Sequence, residues 1–120
     1  VHTIERLAKV KDMRVDGVLW HQGEGNRSDT EYLVRLTDLV TRLRADLKNP
    51  DLRFVAGEIY GKAIVNDQMA QLVETVPNTG LARSNELTVF DNVHFDRKSQ
   101  LLLGKRYATE MLRLLEAGNR

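Results

Sequence analysis

Gly17-Val18-Leu19-Trp20-His21-Gln22-Gly23-Glu24-Gly25-Asn26 joins a four-residue apolar run to a polar, glycine-containing turn. The run follows a charged stretch, Lys9 to Asp16, and its uniform apolarity predicts a strand buried on both faces, as parallel sheets bury theirs. The turn carries an imidazole, two amides and a carboxylate within six residues. A buried strand that empties into such a turn is how α/β proteins present chemistry at the carboxyl edge of a sheet.

Upstream, Ile4, Leu7, Ala8 and Met13 recur at helical spacing among charged residues, predicting an amphipathic helix over residues 1–13. Downstream, Ser28 and Glu31 have the spacing of a capping box. The helix they open carries Leu36, Val40, Leu43 and Leu47 in one stripe, and Asn49-Pro50 closes it because proline disfavours helical geometry at the residue before it. Arg53 to Tyr60 reads as a second strand. Asn66 or Asp67 is expected to cap a third helix with Met69, Leu72, Val73 and Val76 inward. A short third strand is expected within residues 80–83, with a weaker candidate at Leu87 to Phe90. Asp96 is placed to cap a last helix reaching about Ala117, with Leu103, Tyr107, Met111 and Leu114 or Leu115 inward.

The resulting order, α-β-α-β-α-β-α, predicts a parallel sheet covered by helices on both faces. Three strands are few for such a sheet. A chain that opens on Val1 with no lead-in strand is expected to be a piece of something longer, with at least one more strand upstream.

The chain has 120 residues, 42% hydrophobic and 29% charged, enough for one domain with a modest core. A net charge of +1 gives no electrostatic case for a nucleic-acid or anionic-membrane partner. No apolar run approaches the roughly 18 residues that span a bilayer. The absence of cysteine excludes disulfides, thiolate metal sites and a cysteine nucleophile. No histidine pair has zinc spacing, and there is no Walker motif. Gly23-x-Gly25 starts like a dinucleotide fingerprint, but Ser28 stands at the third glycine position, so neither a metal nor a cofactor is expected.

A second polar cluster, Asp91-Asn92-Val93-His94-Phe95-Asp96, precedes the last helix. Asp91, three residues before His94, has the spacing to accept a hydrogen bond from Nδ1 and leave Nε2 free as a general base. The same pair also reads as a surface carboxylate and a histidine that shapes the helix entry. Gln22 has an amide suited to an oxyanion, Gly23 lets backbone approach a substrate, and Glu24 is placed to orient a base or bind substrate. These residues equally fit a solvated turn with Glu24 near a helix N-terminus. The functional expectation is that the two clusters meet in space.

Trp20-His21-Gln22-Gly23-Glu24-Gly25-Asn26 resembles the third block of SGNH-type carbohydrate esterases, the group of acetylxylan esterases and sialate O-acetylesterase-like proteins. Asp91 to Asp96, followed by Leu103-Gly104-Lys105-Arg106-Tyr107-Ala108, resembles that family's last block and closing helix. The two blocks stand in the family's order, about 70 residues apart, and residues 1–120 match the C-terminal half of its domain.

The resemblance implies a flavodoxin-like three-layer α/β/α sandwich and removal of O-acetyl groups from sugars by a serine nucleophile. It implies His94 as base, with Asp91 or Glu24 as its orienting carboxylate. Gln22 would help form the oxyanion hole, with His21 and Asn26 supporting it or facing substrate. Family members are often secreted or periplasmic, and no signal peptide stands at Val1-His2-Thr3-Ile4. The family's Gly-x-Ser nucleophile block has no counterpart here. Of Ser28, Ser84 and Ser99, capping and the first helical turn account for the first and third, and Ser84-Asn85 echoes a nucleophile turn only weakly. The chain is therefore expected to supply the base and part of the oxyanion hole, with the nucleophile upstream. The alternative is a non-catalytic carbohydrate-binding or interaction module on the same scaffold. Either way, an open sheet edge predicts self-association or pairing with the missing segment.

Overall fold

A computed structural model describes residues 2–118, apart from the side chains of residues 7, 8, 10 and 11. The elements are α1 (His2–Lys11), β1 (Gly17–Trp20), α2 (Tyr32–Asp46), β2 (Arg53–Gly57), α3 (Ile64–Thr75), β3 (Thr79–Ala82) and α4 (Arg97–Gly118). The alternation expected from the sequence is the one observed, and the protein is an α/β fold. The expected inward placement of Leu7 and Ala8 lies outside the described residues.

The sheet is parallel throughout, in the order β1-β2-β3. Val18 lies beside Phe54, and Phe54 beside Thr79, so side chains of one parity share a face across all three strands. Phe54 and Ala56 face α2 and α3, meeting Leu36, Val40, Met69 and Leu72. Val55 and Ala82 face α4, meeting Leu103, Tyr107 and Leu114. The central strand is dry on both sides: Phe54, Val55 and Ala56 are all 0% exposed. Fully burying Phe54 or Val55 contributes about 1.5–3 kcal/mol each, so β2 anchors both layers.

β1 departs from expectation. It is an edge strand, and Leu19 is 57% exposed. Its Val18 and Trp20 pack on the α2–α3 layer, but α4 crosses β2 and β3 and leaves Leu19 uncovered.

The helix starts also differ. A short 3-10 turn at Glu24–Asn26 and the bond from Asp29 N–H to the Asn26 carbonyl (2.9 Å) place Ser28 in a turn, so it caps nothing. α2 begins at Tyr32, and its second amide, Leu33 N–H, donates to Oε1 of buried Gln68 on α3 (2.8 Å). A tertiary cap replaces the local one. α3 starts at Ile64, before both predicted caps. Asn66 instead sits inside it, accepting from Ile59 N–H (2.9 Å) and donating to the carbonyls of Ile59 and Gly61 (3.0 Å each). The loop after β2 needs that amide, because the strand stops at Gly57 and does not reach Tyr60. Residues 87–90 form no strand; a single antiparallel bridge joins Val89 to Phe95. Asp96 does cap α4, its Oδ1 accepting from Ser99 N–H at 2.9 Å. No helix among the described residues is long and apolar enough to cross a membrane.

Candidate active site

The carboxyl ends of the parallel strands open on one side, as they must when every strand runs the same way. The loops after β1 and β3 meet there around a cleft of about 360 Å³ lined by His21, Glu24, His94, Phe95, Gln100, Leu103, Gly104 and Tyr107. The two polar clusters are therefore brought together, 70 residues apart in sequence.

The loop bearing His94 is a tight, bridged structure. Phe90 N–H donates to the His94 carbonyl (3.1 Å) and Asp96 N–H to the Thr88 carbonyl (3.0 Å). At its tip, Asn92 has φ +74°, the left-handed region that asparagine tolerates. Asp91 Oδ1 accepts the amides of Val93 (3.1 Å) and His94 (2.6 Å), while Oδ2 meets His94 Nδ1 at 2.5 Å. A carboxylate fixed by two amides favours the proton on Nδ1, and Nε2 has no hydrogen-bond partner among the described residues. The bond to His94, then the His94 and Val93 amides, hold Asp91 at about 2. The bond to Asp91, then its charge, push His94 above its ordinary value.

The turn after β1 carries a second histidine–carboxylate pair, His21 Nε2 with Glu24 Oε1 at 3.1 Å. Asp91 thus touches His94 and Glu24 touches His21. Behind His21, Tyr107 donates its hydroxyl to the Trp20 carbonyl at 2.5 Å and lies 3.4 Å from His21 Nδ1. Burial, then Glu24 and Tyr32, push the Tyr107 phenol well above its ordinary value.

Gln22 and Asn26 point elsewhere. Gln22 Nε2 donates to Asn26 Oδ1 (2.8 Å), and its Oε1 accepts from the Tyr32 hydroxyl (3.0 Å). Both line a separate cavity of about 220 Å³ with Trp20, Tyr32 and Arg35, on the α2 side of β1. Gly23, with φ +143°, is buried, and a side chain there would press on Ile59 and Val65 at 3.3 Å. Its glycine is required by turn geometry and by packing against α3. None of the three serines hydrogen-bonds a histidine among the described residues. Ser84 Oγ donates to the Ile59 carbonyl (3.0 Å), and buried Ser99 Oγ accepts from Thr88 N–H (2.8 Å). No cluster of three or more His, Asp or Glu side chains converges as metal ligands would among the described residues.

Two residues at the cleft escaped sequence reasoning. Tyr107 fits the inward stripe of α4 and reads as core, although Gly57 inside a buried strand is the usual mark of a close approach. Phe95 reads as loop, yet it is 5% exposed, with its ring 6.0 Å from that of His21.

The carbohydrate esterase family described as sialic acid-specific acetylesterase matches residues 1–113. No curated protein matches the chain. Among solved structures, the chain is similar to an X-ray structure of an Arabidopsis thaliana protein, with a TM-score of 0.73 and 26% identity, covering 93% of this chain and 52% of that one. The chain spans about half the length of that structure.

Proposed function

This chain belongs to the sialic acid-specific acetylesterase family of carbohydrate esterases, and from that membership we propose that it supplies the general base of a serine esterase acting on O-acetylated sugars. The observation that carries the reading is His94, paired with Asp91 on a bridged loop and lining a cleft at the sheet's carboxyl edge.

In this reading His94 Nε2 takes the proton of a serine hydroxyl as its oxygen attacks the acetyl carbonyl carbon. Asp91 keeps the other ring proton in place and stabilises the imidazolium that forms. The oxyanion is met by backbone amides, since the Gln22 amide is held by Asn26 and Tyr32 on the other side of β1. His94 returns its proton to the departing sugar oxygen, and water then releases acetate by the same steps. Glu24 and His21 face the cleft as substrate contacts. The serine is assigned to residues outside this chain, since Ser28, Ser84 and Ser99 hydrogen-bond no histidine among the described residues.

That last fact also supports a second reading, a carbohydrate-binding module that does no chemistry. Treatment with a fluorophosphonate, which modifies an activated serine, separates the two when read by intact mass. An adduct on a species or fragment other than the 13.7 kDa chain, together with acetate release from O-acetylated sugars, supports the esterase. An intact natural protein that releases no acetate from acetylated sugars or simple acetyl esters, and takes no adduct, rules it out.

A further inference from the structure

Phe90 is 69% exposed, the most exposed large apolar side chain among the described residues. No core cluster includes it, and yet it is not on a loose segment. Its amide is bonded to the His94 carbonyl (3.1 Å), it follows the Val89–Phe95 bridge, and it precedes the Asp91 turn. Its ring lies 24° from parallel with the His94 imidazole, their centroids 6.0 Å apart. An apolar face is thus presented to solvent, on a hydrogen-bonded backbone, beside the group assigned as base.

We propose that Phe90 is the platform on which the sugar ring of the substrate rests. The inference rests on the esterase reading for its substrate class. An ester can react only if its acyl carbon lies within reach of the nucleophile that His94 activates, so the sugar must lie within about one ring's width of the imidazole. A pyranose presents a face of C–H bonds, and the electron-rich face of a phenyl ring attracts such a face while both lose water. A backbone already fixed in place loses little freedom when the sugar arrives. Phe90 therefore sets specificity for esters that carry a ring and gives nothing to acyclic ones.

The test compares kcat/KM for an O-acetylated pyranoside and for ethyl acetate in the full-length natural protein. Phe90→Ala is expected to lower the ratio of the two about threefold to tenfold, and Phe90→Tyr, which keeps the face, to restore it. An unchanged ratio in Phe90→Ala overturns the proposal. NMR titration with the corresponding acetamido sugar, whose amide resists cleavage, reads binding alone. Weaker binding by Phe90→Ala supports the platform even if the protein cleaves no ester, whereas equal binding overturns it. So does a lower melting temperature of Phe90→Ala with unaltered sugar binding, because Phe90 would then be covered by protein.

Discussion

Tyr107 stands directly over Gly57. A Cβ on residue 57 would lie 1.9 Å from the Tyr107 hydroxyl oxygen and 2.4 Å from Cζ. The glycine opens a path across the face of β2 through which a side chain of α4 reaches the last carbonyl of β1. The ring is pinned at 7% exposure, so it cannot swing aside. Gly57→Ala is expected to cost about 1–3 kcal/mol through overpacking, read by urea denaturation. Tyr107→Phe leaves the Trp20 carbonyl without its donor and is expected to cost about 1 kcal/mol. Because the contact at Cζ survives loss of the hydroxyl, Tyr107→Phe should relieve Gly57→Ala only in part. Full additivity of the two would show that the residues are not coupled.

His94 is held above the ordinary imidazole value of 6.5 by Asp91, and a histidine acts as a base only when neutral. The acid limb of the rate profile is therefore expected above that value. Asp91→Asn should lower the His94 pKa and move the limb to lower pH, while kcat falls by up to about 10⁴-fold as the tautomer is released. In stability, the raised His94 contributes fully below about 6.5 and loses its contribution as pH rises through its folded value. The lowered Asp91 contributes above its ordinary 3.8 and loses its contribution as pH falls towards about 2. The pair stabilises most between those limits. NMR titration of the His94 ring checks this, and a pKa unmoved by Asp91→Asn would refute it.

Gln22 is bound at both ends, to Asn26 and Tyr32, which fixes the direction of its remaining N–H. Because its side chain lies away from the cleft, Gln22→Ala is expected to cost about 1 kcal/mol of stability and to leave kcat on acetyl esters little changed. A large loss of kcat at unchanged stability would contradict this and place the Gln22 amide at the oxyanion.

Leu19 is exposed on an edge strand whose outer N–H and C=O groups face no partner strand among the described residues. Unpaired strand edges with apolar side chains associate. The isolated 120-residue chain is expected to sediment as more than a monomer, and Leu19→Lys to shift it towards monomer. A cooperative, monomeric melt of the unaltered chain would contradict this.

Local order was legible because local chemistry sets it. The apolar run at Val18 to Trp20, the proline at 50 and the Asp96 cap each act within a few residues, and all lie where periodicity and capping rules put them. The Asp91–His94 spacing was legible for the same reason, since a three-residue loop brings carboxylate to imidazole without help. The starts of α2 and α3 were not, because their partners are distant in sequence. Gln68 caps α2 from another helix, and Asn66 serves the loop behind it. Leu19 read as buried because apolarity shows what a residue prefers and cannot show whether a neighbouring helix covers it.

Periodicity thus set the α/β alternation, and block spacing pointed to the esterase family before any contact was known. Which carboxylate touches which histidine, the turning of Gln22 away from the cleft, and the passage of Tyr107 over Gly57 belong to the folded chain. The histidine–carboxylate contacts close within three residues, but Tyr107 reaches positions 50 and 87 residues away, and only packing of both layers on β2 sets such distances.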